Sequence, residues 1–262
     1  MAAETAQQRT GAARRAGPRV AYLSHVQVAC NQPAPVVGAT LDLGLGGVCV
    51  QVPETTALDA IRHVELQIGR RTLSAPVRCT WRRVTQMDGS AMLGLQFTDL
   101  REAQVSLLWE ALNRRALELT RFLTEHSTLH PIEVDVAMDL AMRTRRREFG
   151  PNRYIYEQGT KGPEESIFII ASGGVALEVV RDDGERVALD RARAGDVFGG
   201  LPILIGAAHA DSAYSLEPVQ LLEVDAYSIA DLLAEKPLVG RAVERAVMGK
   251  YLARFCALQL GR

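Results

Sequence analysis

Apolar and polar residues alternate in several short runs within the first hundred residues of the chain. Alternation with a period of two is typical of antiparallel strands that have one face on a core and one face in water. Turn signals separate the runs, with Gly69 before the second run and Asp88-Gly89 before the third. The runs are Val48, Val50 and Val52; Leu73, Ala75, Val77, Cys79 and Trp81; and Leu93, Leu95 and Phe97. Several such strands in about 85 residues predict a small antiparallel barrel.

The period of the pattern changes after Asp99. Between Glu102 and Glu125 the apolar residues fall three, four and seven positions apart, which predicts an amphipathic helix. These residues are Val105, Leu108, Leu112, Leu119 and Phe122. They also fit the a and d positions of a heptad repeat that is interrupted at Arg115. Two interpretations stay open: a linker helix that lies on one of two domains, which we favour, and a helix that pairs with a partner in a dimer.

Alternation returns in the last third of the chain. The apolar positions there are Val175, Leu177 and Val179, followed by Val187 and Leu189. Asp182-Asp183-Gly184 between these runs is typical of a hairpin turn, and Glu133–Arg147 is predicted to be helical. With 262 residues there is room for two cores. The predicted parts are a flexible tail at 1–13, a barrel at 14–101, a linker helix at 102–130, and a second β domain with C-terminal helices at 131–262.

The composition is ordinary for a globular protein, with 47 % hydrophobic and 23 % charged residues. Residues 1–101 carry eleven arginines and seven acids, a net +4, while the remainder carries 19 basic and 24 acidic residues, a net −5. A weakly positive first domain suits a small anionic ligand better than nucleic acid. Neither a signal peptide nor an apolar run of roughly 20 residues is present, so we expect a cytoplasmic protein without membrane contact. The four cysteines lack metal-ligand spacing, and no metal site is predicted.

Two arginines near the N-terminus and a glycine-rich turn contain the clearest candidate chemistry. Arg15 and Arg19 are separated by three residues, and Asp42 opens the run Asp42-Leu43-Gly44-Leu45-Gly46-Gly47. Guanidinium groups donate bidentate hydrogen bonds to phosphates and stack on purine faces. A short carboxylate beside glycines suits a tight turn where backbone and side chain meet a base edge. This pattern resembles the RxxxR and DxSxxG motifs of PilZ domains.

The resemblance to PilZ domains covers roughly residues 14–101 and implies a six-stranded antiparallel barrel that binds the bacterial second messenger cyclic di-GMP. The ligand contacts that it implies come from Arg14, Arg15, Arg19, Asp42, Gly44 and Gly47. Gly44 stands in place of the family's serine, and the lost hydroxyl is worth about 0.5–1.5 kcal/mol, or at most about tenfold in affinity. We expect ligand binding to order the arginine segment, and Arg19→Ala to remove binding without a loss of stability.

A second resemblance begins after the linker helix. The motifs are Tyr154-Ile155-Tyr156-Glu157-Gln158-Gly159, then Ser172-Gly173-Gly174, then Ala194-Gly195-Asp196-Val197-Phe198-Gly199. In this order they resemble the cyclic-nucleotide-binding domain of catabolite activators and kinase regulatory subunits. The resemblance implies a β-roll, of the jelly-roll type, with a phosphate-binding cassette after Gly199.

The cassette departs from the pattern of that family. Gly200 stands where a glutamate would accept the ribose hydroxyl, and His209 stands where an arginine would pair with the cyclic phosphate. Asp211 adds a negative charge beside the phosphate position. The missing carboxylate is worth about 1.5–3 kcal/mol, and a mostly neutral histidine cannot fork onto a phosphate, which together predict a degenerate module kept for dimerisation or protein docking. Any other ligand would meet Gly199, Gly200, His209, Ala210 and Ser212, with His209 and Ser212 as donors.

No sequence signature of catalysis is present. None of the five histidines lies in a metalloprotease, triad or nucleophile-elbow pattern, and neither a Walker loop nor GxGxxG occurs. No helix-turn-helix segment follows the second domain, so direct DNA binding is not expected. We therefore predict a cofactor-free adaptor that binds cyclic di-GMP and signals to an unidentified protein partner, with a homodimer as a further possibility. The alternatives are a scaffold without nucleotide, and a dual sensor with a second nucleotide in the second domain.

Overall fold

The computed structural model of the protein describes residues 18–29, 34–56, 61–84, 89–161 and 165–260. The chain divides into two compact units between Ala116 and Leu117. Both units are built mainly from antiparallel strands. Within the described residues, no helix combines the length and the apolar character that crossing a membrane requires.

The first unit contains a closed antiparallel barrel. Its described strands are β1 (Arg19–Ala21), β2 (His25–Ala29), β3 (Val36–Gly44), β4 (Gly47–Pro53), β5 (His63–Ile68), β6 (Arg71–Val84) and β7 (Ser90–Phe97). They follow the order β1-β3-β2-β5-β6-β7-β4, and a further β3–β4 pairing closes the sheet. Strands β2 to β7 form the six-stranded barrel, while β1 adds to the end of β3. The predicted six-stranded antiparallel barrel is confirmed.

The predicted alternation holds through most of the barrel but fails within β6. Leu73, Ala75 and Val77 are buried in the core as expected. A β-bulge after Cys79 then places Trp81 opposite Gly94 rather than on the face of Leu95. Trp81 packs against a separate cluster of Leu41, Cys49 and Met92. A Cβ on Gly94 would lie 2.0 Å from Nε1 of Trp81, so a glycine is required under the indole ring.

Helix α1 (Glu102–Glu125) follows the barrel in sequence. Its first half is tied to the first unit, since Nε2 of Gln104 donates to the carbonyl of Ser74 over 2.6 Å and Nε of Arg115 donates to the carbonyl of Ala21 over 3.0 Å. Of the heptad-like residues, Leu108, Leu112 and Leu119 are buried, Phe122 is half-buried and Val105 is exposed. The apolar face is therefore partly covered, and the linker helix and the partner helix both stay predictions.

The second unit is a β-roll followed by helices. Its elements are α2 (Val134–Ala141), β8 (Arg145–Phe149), β9 (Tyr154–Tyr156), β10 (Ser166–Ser172), β11 (Gly174–Val180), β12 (Arg186–Arg193), β13 (Val197–Gly199), α3 (Leu201–Ile205), β14 (Ser212–Ser215), β15 (Val219–Asp225), α4 (Ala226–Glu235) and α5 (Pro237–Leu260). Two four-stranded sheets, β13-β10-β15-β8 and β12-β11-β14-β9, enclose a core that includes Phe168, Ile170, Leu177 and Phe198. The predicted β-roll is confirmed.

The helix predicted at Glu133–Arg147 is wrong in its last part. Helix α2 ends at Ala141, and Arg145–Phe149 forms a strand that pairs with β15. Acidic residues of β15 face these arginines, with 3.5 Å between Arg147 and Glu223 and 3.8 Å between Arg145 and Asp225. The segment Arg145–Phe149 is a strand because it is buried beside β15, a partner that is distant in sequence. A local pattern of residues does not reveal such a partner.

Candidate functional sites

Strands β1 and β3 bring two of the predicted ligand residues together. Arg19 lies directly opposite Gly44 in the ladder, so Asp42 is its diagonal neighbour on the same face. Nη1 of Arg19 donates to Oδ1 of Asp42 over 2.8 Å. The Asp42 side chain is 2 % exposed and that of Arg19 is 20 % exposed. A nearly buried carboxylate needs such a cation, because an isolated buried charge is expensive.

The predicted glycines lie where the backbone leaves little room for a side chain. Gly44 and Gly47 pair with each other and close the β3–β4 hairpin around the turn at 45–46. A Cβ on Gly47 would lie 2.3 Å from the carbonyl oxygen of Leu95. A Cβ on Gly44 would lie 2.8 Å from the carbonyl oxygen of Pro18 and 2.9 Å from Cγ of Arg19. Gly44 therefore allows β1 to lie close against β3, a role that a comparison of motifs does not reveal.

This geometry revises two expectations about Arg19. Its backbone is already paired as part of β1, and the neighbouring Val20 and Ala21 are fully buried, so any ordering by ligand concerns only residues further upstream. Replacement of Arg19 by alanine would also remove the cation beside the nearly buried Asp42. We therefore expect a loss of stability together with a loss of binding. The other two predicted arginines, Arg14 and Arg15, lie outside the described residues.

Two polar side chains that were not predicted from the sequence lie on the other side of Gly47 from Arg19. Gln96 of β7 lies opposite Gly47, and Arg78 of β6 lies opposite Gln96. Nη2 of Arg78 donates to Oε1 of Gln96 over 2.7 Å, and both side chains are exposed. Only the pairing register of three strands places them beside the predicted turn, so no local motif indicates them.

In the second unit, the cassette begins with two glycines in the left-handed region. Gly199 ends β13 with φ 71°, and Gly200 precedes α3 with φ 87°. Side chains rarely adopt such a conformation. In addition, a Cβ on Gly200 would lie 2.7 Å from Cγ1 of Ile167. The backbone at this position therefore disfavours the glutamate that the family uses to bind ribose.

His209, at the expected phosphate-binding position, is buried and already engaged. Its ring stacks on Tyr156 with 3.8 Å between centroids and 11° between planes. Its Nε2 lies 2.7 Å from Oε2 of Glu165. Ser212 is also engaged, because its Oγ accepts a hydrogen bond from the backbone N–H of Gln158 over 2.9 Å. Ala210 is half-buried between them. His209 thus has a partner at Nε2 but, within the described residues, none at its buried Nδ1, and Ser212 uses its oxygen as an acceptor, so both side chains remain predicted donors.

Asp211 joins the roll to the last helix. Its carboxylate, 1 % exposed as a residue, accepts hydrogen bonds from the hydroxyl of Tyr156 over 3.2 Å and from that of Tyr251 on α5 over 3.1 Å. Burial raises the pKa of Asp211, while the two tyrosine hydrogen bonds, His209 and Arg254 act in the opposite direction. Burial and the nearby carboxylate raise the pKa of both tyrosines.

A second contact reinforces this attachment of the helix. Nε of Arg254 on α5 donates to Oδ2 of Asp190 on β12 over 2.9 Å. We call Tyr156, His209, Asp211 and Tyr251 the cassette cluster. Its side chains interlock where the sequence resemblance places a cyclic phosphate. A cavity of about 390 Å³ in this unit includes Ser212 in its lining but none of the cassette cluster.

Comparisons with known proteins agree with both motifs. Family models identify a PilZ domain at residues 13–114 and a cyclic nucleotide-binding domain at residues 146–236. The chain therefore contains a PilZ domain followed by a cyclic nucleotide-binding domain, as predicted. Both are domains of nucleotide second-messenger signalling. No curated protein matches the chain.

Several solved structures are similar to part of the chain. The catabolite activator protein of Thermus thermophilus is 26 % identical with a TM-score of 0.44, over 52 % of this chain and 62 % of that chain. A regulatory subunit of a cAMP-independent protein kinase A from Trypanosoma cruzi, bound to guanosine, is 22 % identical with a TM-score of 0.47, over 66 % and 61 %. The c-di-GMP responsive global regulator CLP of Xanthomonas campestris is 15 % identical with a TM-score of 0.41, over 47 % and 60 %. This chain spans less than two thirds of each of them.

Proposed function

We propose that the protein is a bacterial cyclic di-GMP receptor that binds the dinucleotide through its PilZ domain. The observation that carries the proposal is the Arg19–Asp42 ion pair beside the tight β3–β4 turn, whose residues 45–46 are exposed. Guanidinium donors suit phosphate oxygens and a purine face, and the carboxylate suits the N–H groups of a guanine edge. Arg14 and Arg15, just upstream in sequence, add further phosphate contacts.

The ion pair gives binding a defined exchange of partners. Without ligand, Arg19 and Asp42 neutralise each other. A phosphate of the ligand competes with Asp42 for the guanidinium, and the released carboxylate then accepts from guanine. Each partner exchanges one charge-assisted hydrogen bond for another, so neither is left buried without a counter-group.

The second domain acts as an output surface in this proposal. The filled cassette supports a module that holds its shape without a mononucleotide and offers its surface to a protein partner or to a second copy of the chain. The chain is then a cytoplasmic adaptor that needs no cofactor, catalyses no reaction and does not itself bind DNA.

Isothermal titration of cyclic di-GMP into the full-length protein tests the receptor proposal. We expect saturable binding, and about a 100-fold loss of affinity in Arg19→Lys, which keeps the charge beside Asp42 but loses the planar fork. A folded wild-type protein that releases no heat and gives no binding by a second method would refute the proposal.

A scaffold without any nucleotide is the second candidate function. The neutralised Arg19 and the occupied cassette favour it, because Arg19 and Nε2 of His209 each already face a carboxylate of the chain itself. A thermal-shift screen with cyclic di-GMP and with cyclic mononucleotides separates the candidates. A ligand at 100 times its dissociation constant should stabilise the binding-competent protein by about 2.7 kcal/mol, and a scaffold should respond to none of them.

A further inference from the structure

Five residues of the first unit stand side by side across neighbouring strands. They are Arg19 on β1, Gly44 on β3, Gly47 on β4, Gln96 on β7 and Arg78 on β6. Directly opposite residues of antiparallel strands project from the same face of the sheet. This arginine–glycine row therefore has a guanidinium at each end and two positions without side chains between them.

The two ends of the row differ in charge. Arg19 is paired with the carboxylate of Asp42, so its charge is balanced locally. Arg78 is bonded to the neutral amide of Gln96, so this contact leaves its positive charge in place. Arg78 is also exposed, and it lies two strand spacings from Gly47, about 10 Å along the row. A ligand that contacts Arg19 and the exposed turn at 45–46 therefore has a second guanidinium, that of Arg78, about two strand spacings from Gly47 at the end of that turn.

We propose that Arg78 is a further ligand-contacting residue of the cyclic di-GMP site, held in place by Gln96. This inference rests on the proposed function. Cyclic di-GMP contains two phosphates and two guanines, and the Arg19–Asp42 pair serves one part of it. Arg78 offers its planar fork to the remaining part, where a phosphate or the O6 and N7 atoms of guanine can accept bidentate hydrogen bonds.

Titration of cyclic di-GMP into full-length variants tests this assignment. We expect Arg78→Ala to weaken binding by about 10- to 100-fold, the range for a charge-assisted contact. The matched control is Arg70→Ala, which removes the same charge from the exposed turn between β5 and β6 and should change affinity by no more than about twofold. Equal affinities for Arg78→Ala and Arg70→Ala would overturn the assignment.

A second variant tests Arg78 without removing it. Gln96→Glu places a carboxylate beside the guanidinium, which should reduce affinity by up to the loss in Arg78→Ala because the ligand must then compete with that carboxylate. Unchanged affinity in Gln96→Glu would contradict the assignment. If the wild type binds and only Arg19→Lys loses affinity, the receptor function is supported and the role of Arg78 is refuted. If the wild type does not bind, both proposals are refuted.

Discussion

The two domains have each replaced one motif residue by glycine, with opposite consequences. In the PilZ domain, Gly44 admits β1 against β3, and the outer end of the row keeps an exposed arginine. In the second domain, Gly200 adopts a left-handed conformation beside a site that Tyr156 and His209 fill. The same change of residue accompanies an exposed arginine nearby in one domain and a buried cluster of aromatic and acidic side chains in the other. The effect of losing a motif side chain on a site therefore depends on the residues that pack around that position.

The largest effect that we expect from this contrast is at Arg19. Arg19→Ala should lose binding of cyclic di-GMP by about 100-fold or more, and should also lower the free energy of unfolding by about 1–3 kcal/mol, because the nearly buried Asp42 loses this cation. Titration and denaturant unfolding measure the two losses. Arg19→Lys is the control, since it should retain more stability than Arg19→Ala; equal stability of all three proteins would refute the role of the ion pair.

In the second domain, the strongest effect is expected at Asp211. Asp211→Ala leaves the buried hydroxyls of Tyr156 and Tyr251 without this acceptor, at a cost of about 2–3 kcal/mol. Hydrogen exchange of the α5 amides should accelerate accordingly. Asp211→Asn, which keeps an oxygen acceptor, should exchange close to the wild-type rate. Wild-type exchange in the alanine variant would contradict the attachment of α5 through Asp211.

Restoring the PilZ motif should not restore affinity. Gly44→Ser adds a hydroxyl but places its Cβ against Pro18 and Arg19, so we expect a cost of about 1–3 kcal/mol in stability and no gain in binding. Unfolding and titration with cyclic di-GMP provide the test. A stable serine variant that binds about tenfold more tightly would instead support the simple loss of a hydroxyl that the motif suggests.

The smallest expected effect is a pH dependence in the second domain. The pKa of Asp211 is raised from its ordinary value of 3.8, so its contribution to stability is fully present below that value and is lost as pH rises through the folded pKa. Asp211→Asn does not titrate there. The α5 stability of the asparagine variant relative to wild type should therefore increase from about pH 4 to pH 7. Hydrogen exchange across this range measures the difference, and a constant or falling difference would contradict the direction of the shift.

Much of the architecture could be predicted because alternating burial is a local property of a strand. The barrel followed from runs such as Val48, Val50 and Val52, and the roll followed from the motifs that resemble a cyclic-nucleotide-binding domain. The bulge beside Trp81 and the strand at Arg145–Phe149 were not predicted from the sequence, because strand partners that are distant in sequence determine both features. Contacts between residues distant in sequence also explain why Arg78 and Tyr251 were not predicted. Strand register places Arg78 in the row with Gly47, and the last helix brings Tyr251 to Asp211.

The most direct test of the contrast between the domains is hydrogen exchange of the full-length protein with each ligand in turn. With saturating cyclic di-GMP, we expect protection of the β3–β4 hairpin around Gly44 and Gly47. With cyclic AMP or cyclic GMP at the same concentration, we expect unchanged exchange in the cassette at 197–215. Protection of the cassette by a mononucleotide, with no response of the hairpin to cyclic di-GMP, would refute the proposed division of roles between the domains.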